Sequence, residues 1–551
     1  MKKIIFILGL AAVVLGTSCS DVLDLNPADR FSPATVWSTT TTADKYVIGL
    51  YSIFGANTEM RGGDAYASPR LSDAYSDILK STSWNQYNHN FNATLLQETA
   101  FNSNSAGAFE CWSSHYDRIR RENEFLRDAA EFGSKFGEDW LKIRIAEVRF
   151  CRAYAYFMLC RVYGGVILRT EVDGPEQNDK ARSTEEECWG FIINELKELA
   201  PDLPLKWDSD NSGRATQKAA YGLLSRVALY AEKWDVAAQA ARDCATAEGN
   251  LDLSKNGYAK IFELGINSPE VLFAVEFKSS VIDHAYDAYV RPSGDTKELG
   301  KQVYSGFVPT SELVDSYEMA GDGGNFSWEK HGKDPYANRE PRFYATILYN
   351  GADWMGRKIE SFVGGKDGYK AYENAGAAGT TVTGYYLRKY LIDGDKMWVT
   401  SGSGQDWIVL RYAEVLLNKA EALAMENWNK NSAEALQALN DVRARVGLPA
   451  RATADKETFL EYVRHERKVE LAGEGFRYWD LRRWRLAEKV IDGQNVHGVK
   501  ISKQSDGSFT YEQVDADGGH KRIFYDRYYR FAIPLSERSN NSLCTNNDGW
   551  I

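Results

Sequence analysis

The sequence predicts a mainly α-helical fold in which paired helices support a loop-rich, irregular subdomain with short strands. Three features of the chain point there. Apolar residues recur at helical spacing through long stretches. Two Ala-rich segments repeat one helix–turn–helix pattern. Between about 250 and 405 the helical period gives way to dense Gly, Asp, Asn, Tyr and Trp. Composition agrees: 44% of the 551 residues are hydrophobic, too many for a disordered chain. The 66 Lys+Arg are outnumbered by 77 Asp+Glu, and a net charge of −11 argues against nucleic acid as a partner, which would need a basic face. Trp, Tyr and Phe make up 13% of the chain; aromatic rings fill cores, and they also make flat binding platforms.

The amino end carries an export signal. Lys2 and Lys3 precede an apolar run from Ile4 to Leu15. That run is far shorter than the roughly 20 residues a membrane-spanning helix needs, and it suits the core of a signal peptide. Gly16, Thr17, Ser18 and Cys19 follow. Small residues before a Cys resemble the bacterial lipobox, in which the Cys thiol is lipidated and becomes the new amino terminus. Gly16 stands where that motif usually has Leu. Residues 1–18 are therefore expected to be a lipoprotein signal peptide and Cys19 the lipid-bearing residue, with an ordinary signal peptide cut nearby as the alternative. A multiply acylated Cys anchors a protein stably to a membrane. No later apolar stretch is long enough to cross one.

Helices come next. From Leu141 the apolar positions run Ile145, Val148, Ala155, Leu159 and Val162, with charges between them, until Gly164 and Gly165 stop the pattern. Val409, Tyr412, Ala413, Leu416, Ala420 and Leu423 repeat that spacing. Further helices are expected near 42–55, 107–132, 184–200, 216–248, 432–446 and 456–472, giving helical blocks near 107–248 and 407–490. Ala219–Arg242 and Ala413–Leu439 each read as an Ala-rich helix, a short turn holding a Trp, and a second Ala-rich helix. The pattern resembles tetratricopeptide-type hairpins, which stack because no single hairpin buries its own face. Six cysteines remain after Cys19, with no CxxC spacing. Cys151 and Cys160 fall on opposite faces of one helix and cannot bridge each other, so scattered buried thiols are expected.

The loop-rich insert near 250–405 contains strand-like runs at Val271–Phe277 and Arg342–Tyr349, with turns at Gly321–Gly324 and Gly364–Gly368. Residues 56–106 share its texture. Loops held on a rigid scaffold commonly carry binding. The run Trp84-Asn85-Gln86-Tyr87-Asn88-His89-Asn90-Phe91-Asn92 combines aromatic platforms with amides. Sugars present apolar C–H faces and rings of hydroxyls, so this pairing suits a sugar. Trp84, Asn85 and Asn88 are candidate ligand contacts, and Asp64, Arg70 and Asp73 could add charge-assisted bonds, Asp73 foremost. In the insert the platform candidates are Tyr286, Tyr289, Trp328 and Trp354, with Tyr289 and Trp328 preferred. The alternative for each is simple packing.

Motifs for chemistry are sparse. His465-Glu466 begins like HExxH, but no second His follows. Asp208–Gly213 opens like an EF-hand loop, yet its twelfth position is Ala219, so a turn that opens a helix is expected. There is no GxSxG elbow and no P-loop. Glu466 and Glu470 lie among counter-charges and read as structural rather than as an acid/base pair. Arg467 with Glu470, Glu474 with Arg477 and Asp480 with Arg483 are spaced to pair along a helix. No catalytic residue, metal or cofactor is expected.

The segment RHERKVELAGEGFRYWDLRRW, Arg464–Trp484, resembles the carboxy-terminal signature of the SusD/RagB family of outer-membrane nutrient-binding lipoproteins. Asp21–Pro27 after the lipid Cys, Gly213–Thr216, Pro309–Glu318, Leu410–Leu423, Phe531–Pro534 and the polar tail ending at Gly549-Trp550 agree with it in order. The resemblance implies that residues 19–551 form one domain, with four tetratricopeptide-like hairpins behind an irregular binding face. It implies a surface-exposed lipoprotein, anchored in the outer membrane, that captures an oligosaccharide or polysaccharide and delivers it, without chemistry, to a SusC-like TonB-dependent β-barrel. Two other readings compete: a peptide-binding lipoprotein of the same architecture, and a glycoside hydrolase, which would need two carboxyl groups roughly 5–10 Å apart in a cleft.

Overall fold

The computed structural model describes residues 32–60, 71–82, 101–174, 179–321, 323–371 and 380–550. The expected signal peptide and Cys19, together with Asp64, Arg70, Trp84, Asn85 and Asn88, lie outside these residues. The longer helices are α1 (Thr40–Leu50), α2 (Trp112–Phe132), α3 (Glu138–Tyr163), α4 (Glu185–Leu199), α5 (Gln217–Tyr230), α6 (Trp234–Thr246), α7 (Tyr412–Arg445), α8 (Lys456–Glu470) and α9 (Arg477–Arg483). Sequence-adjacent helices pack side by side from α2 through α6, then α6 and α5 pack on α7, and α7 on α8. The fold is mainly helical, as the periodicity predicts.

Local chemistry sets the ends. Thr184 and Glu187 cap α4 reciprocally: Thr184 N donates to the Glu187 carboxylate at 2.8 Å, and Glu187 N donates to the Thr184 hydroxyl at 3.2 Å. Thr216 caps α5. Gly164, with φ of 75°, ends α3 where the Gly pair predicts a stop. Between Phe150 and Cys160 every α3 residue is buried, because α1, α2, α4 and α5 all pack on this helix. Near Asn427 (φ −164°, ψ 93°) α7 breaks into two arms, with Trp428 at the bend, so Ala413–Leu439 does form a hairpin like that of α5 and α6. The Asp208 carboxylate accepts from the backbone N–H of Asp210 and Asn211, making the turn that leads to α5. All six described cysteines are unbridged. No helix among the described residues is long and apolar enough to cross a membrane.

The strands are few and short. β1 (Leu79–Ser81) pairs antiparallel with β3 (Phe307–Pro309), and β2 (Val271–Val275) pairs antiparallel with β4 (Trp407–Arg411). The second pairing joins the two ends of the insert: Val271 lies opposite Arg411, and α7 begins at the next residue. The chain thus leaves and re-enters the helical row at one place. Among the described residues of the insert, helices are no longer than the eight residues of Gly257–Leu264. One expectation fails here. Arg342–Tyr349 is not a strand; Pro341–Thr346 is a helix, followed by the two-residue strand Ile347–Leu348. Pro341 at the first helical position presets the backbone, which outweighs the aromatic and β-branched content. The hairpin β5 (His497–Lys503) and β6 (Phe509–Asp515) is a further element that the periodicity does not reveal.

Buried ion pairs join insert to helices. Arg411 donates to Glu270 at 3.0 Å, Glu470 at 2.6 Å and Glu474 at 2.7 Å. Arg342 reaches Glu340, Glu466 and Glu470, and Arg443 reaches Glu318 and Glu466. The signature helix is structural, as expected, but two of its three expected pairs are not made. Arg467 bonds Asp480 instead of Glu470, and Arg477 bonds Asp77 instead of Glu474; only Asp480 and Arg483 pair along the chain. Burial accounts for the change: a desolvated charge needs several partners, and a neighbour on its own helix supplies only one.

Candidate functional site

The β1–β3 ladder leads to the candidate face. Beyond β1, Thr82 N donates to Gly306 O at 3.0 Å, and Gly306 N donates to Tyr289 O at 2.6 Å. Tyr304 N donates to Ala288 O at 2.7 Å. Thr82, the last described residue before the segment holding Trp84, Asn85 and Asn88, is therefore joined to the turn that carries Tyr289 and Tyr304. Those two rings lie 4.9 Å apart at 41°. With Trp398, Val303, Ala285 and Ala288 they form a small apolar cluster separate from the main core. Lys301 fixes one side, donating to Val399 O at 2.8 Å with its ammonium 5.1 Å from the Trp398 ring. Arg291 fixes another, bonded to Asp287 at 2.8 Å and 5.4 Å from the same ring. Ser280 N donates to Ser401 O at 2.7 Å and joins the turn with Val281 and Ile282 to the carboxy-terminal end of the short helix Trp398–Ser401, which Met397 precedes. Val281, Ile282 and Met397 are 68%, 56% and 65% exposed. Exposed aliphatic side chains thus stand on both the turn and the residue that leads into Trp398.

Trp328 lies elsewhere. It opens the short helix Trp328–His331 and is half-buried. Its indole N–H donates to Asp315 at 2.9 Å, while Phe326 meets its ring edge-on at 5.4 Å and Tyr511 of β6 lies 6.0 Å away. Burial raises the Asp315 carboxyl to about 6. Asp315 follows the Pro309 end of β3, whereas Tyr289 joins the chain at Gly306 before its other end. Tyr289 and Trp328 are therefore not brought together.

Asp73 departs from its expected place. It is fully buried, and its two oxygens accept the backbone N–H of Gly473 (2.9 Å), Gly475 (3.2 Å) and Arg477 (2.9 Å). This carboxylate holds the signature turn; it does not stand free for a ligand. Tyr286 and Trp354 are core residues, the first donating to Lys389 O and the second to Asp295. Tyr289 is only 4% exposed, so its contribution is mainly to stiffen the face. Tyr304, Trp398 and the Val281–Ile282 turn are additions the sequence reading missed. The one local trace was an apolar pair within Ser279-Ser280-Val281-Ile282-Asp283. Glu466 and Glu470 are buried and saturated by arginines; the Glu470 carboxyl is held well below the ordinary range by Arg445, Arg411 and Arg342 despite its burial, the opposite of what a general acid requires. Among the described residues no group of three or more His, Cys, Asp or Glu could hold a metal ion.

Residues 269–550 match the model of the SusD family, and residues 21–229 match a model described as starch-binding and associating with the outer membrane. A SusD-like protein of Bacteroides ovatus is 25% identical over 94% of this chain and 90% of its own length. A crystal structure of a SusD-like protein from Bacteroides fragilis superposes with a TM-score of 0.77 at 27% identity, covering 94% of this chain and 98% of that one. A SusD-like carbohydrate binding protein, also from Bacteroides fragilis, gives 0.76 at 25% identity, covering 92% and 99%.

Proposed function

Because the chain belongs to the SusD family, we propose that it is a lipid-anchored, surface-exposed protein that captures an oligosaccharide or polysaccharide and delivers it to a SusC-like TonB-dependent β-barrel. The observation that carries this reading is the aromatic cluster at Tyr289, Tyr304 and Trp398, which Gly306 links to Thr82 just beyond β1. Tyr289 and Trp398 are buried and stiffen the support of the half-buried Tyr304, the ring of this cluster that is open to a sugar's apolar face. The similarity to a carbohydrate binding protein of known structure, and to the family described as starch-binding, supports the same class. Loading a transporter needs capture and release. Micromolar affinity is about −8 kcal/mol, within reach of a few stacking contacts and hydrogen bonds.

A second reading keeps the architecture and replaces the glycan by a peptide. The exposed aliphatic side chains of Val281, Ile282 and Met397 favour it, since such groups suit apolar peptide side chains better than sugars. Native gels cast with individual polysaccharides separate the two. Retardation by a neutral glycan supports the first reading. Free mobility in every glycan, with calorimetric heat from peptides, would transfer support to the second.

A further inference from the structure

A cavity of about 310 Å³ lies in the helical block among α3, α4, α7, α8 and α9. Exposed Glu232 and Arg485 stand at its margin. Six arginines line it, and four of them have carboxylate partners. Arg483 bonds Glu421 and Asp480, Arg530 bonds Glu185, Arg464 bonds Glu461, and Arg485 lies near Asp526. Arg161 and Arg482 differ. Arg482 is 4% exposed and donates only once, from Nη2 to Tyr529 O at 2.8 Å. Its Nε and Nη1 have no partner among the described residues, and neither has Nε of Arg161. Both guanidiniums pack on the Trp479 ring, 4.1 Å (Arg161) and 4.7 Å (Arg482) from its centroid, and the Trp479 indole N–H is itself unpartnered.

Two positive charges pack on one indole with no ion pair to either among the described residues, Glu59 acting on Arg161 only through its field. Burial, reinforced by Arg530 and Arg161, lowers the Arg482 guanidinium to about 10, so it stays charged at neutral pH. Elsewhere in the protein arginines this deeply buried commonly have carboxylates: Arg342, Arg411, Arg443 and Arg467 each bond at least one. An arginine fork matches a planar or tetrahedral oxyanion in two-point fashion, and an indole N–H adds a third donor. The cavity has the size of the smallest ligand pockets, roughly 300 Å³, and would admit one substituted sugar ring or a free anion.

We propose that this cavity is an oxyanion site, which takes a sulfate or carboxylate group with Arg161, Arg482 and Trp479 as its donors. It is separate from the aromatic face and does not depend on the carbohydrate reading. The test is thermal melting and calorimetry of the purified protein with sodium sulfate, glucuronate, galactose 6-sulfate and galactose, against sodium chloride at equal ionic strength. A saturable rise in melting temperature with sulfate or glucuronate, and none with chloride or galactose, is expected. Arg482→Lys, which keeps the charge but loses the fork, should weaken binding about tenfold, and Arg161→Gln should do likewise. Tighter binding of galactose 6-sulfate than of inorganic sulfate would identify an acidic sugar as the source; equal binding would identify a free-anion site. No saturable response to any oxyanion, or binding unchanged in folded Arg161→Gln protein, would overturn the proposal.

Discussion

At the scale of single residues, buried carboxylates do two different jobs. Asp73 accepts three backbone N–H groups from a turn whose Gly473 and Gly475 both have positive φ, 78° each. A Cβ at Gly475 would collide with the Glu59 carboxylate, so glycine is required there. Asp73→Ala would leave those donors buried and unsatisfied, at about 3 kcal/mol or more. Chemical denaturation should show that loss directly, whereas a ligand contact at this position would lower affinity and leave stability intact. Glu122 in α2 is the contrary case. Neither of its oxygens has a hydrogen-bond partner among the described residues, and burial pushes its carboxyl up to about 8 against the pull of Arg152 and Arg118. The folded state keeps this proton over a range where an unfolded chain, with its ordinary value of 4.5, has lost it. Its contribution to stability is therefore complete below that value and is lost as pH rises toward 8, by up to about 1.4 kcal/mol per pH unit. Glu122→Gln should match the parent protein at about pH 4 and exceed it at about pH 9 in denaturant melts.

At the scale of elements, the signature segment works as a clamp. Arg411, at the junction of β4 and α7, joins Glu270 beside β2 to Glu470 and Glu474 at the end of α8. Removing one member strands buried charge, and Arg411→Ala is expected to cost about 3–5 kcal/mol, read as a lower denaturation midpoint. Helix positions were legible in the sequence because each depends on neighbours three and four residues away. The Ala-rich hairpins, the Gly164 stop and the strand at Val271 all follow from such local spacing. What was not legible depends on distance in space. Arg467 chooses Asp480 over Glu470 only because the fold brings α9 against α8. Pro341–Thr346 is helical although its side chains favour strand, because Pro341 presets the first turn, and the contacts of its Arg342 with Glu466 and Glu470 could not be read locally. Half of the preferred ligand contacts lie outside the described residues. Of the others, Asp73 proved to be a structural ligand of the backbone, and Tyr304 and Trp398 went unnoticed because one aromatic in a loop looks like any other until its neighbours are known.

At the scale of the whole molecule, the insert is a body closed at its base by the β2–β4 pairing and clamped by buried charge, so its aromatic face rides on a rigid helical row. The proposed lipid anchor at Cys19 makes a separate expectation. Cys19→Ser should abolish labelling by a fatty acid in cells and release the protein from sedimented membranes; labelling that survives would place the anchor elsewhere. The most direct measurement of the central claim is calorimetric titration of a retained neutral glycan into the parent protein and into Trp84→Ala. The account predicts saturable, micromolar binding by the parent and at least about a tenfold loss in the variant, the stacking of one ring being worth roughly 1–3 kcal/mol. Absence of heat with every glycan, while peptides titrate, would contradict it.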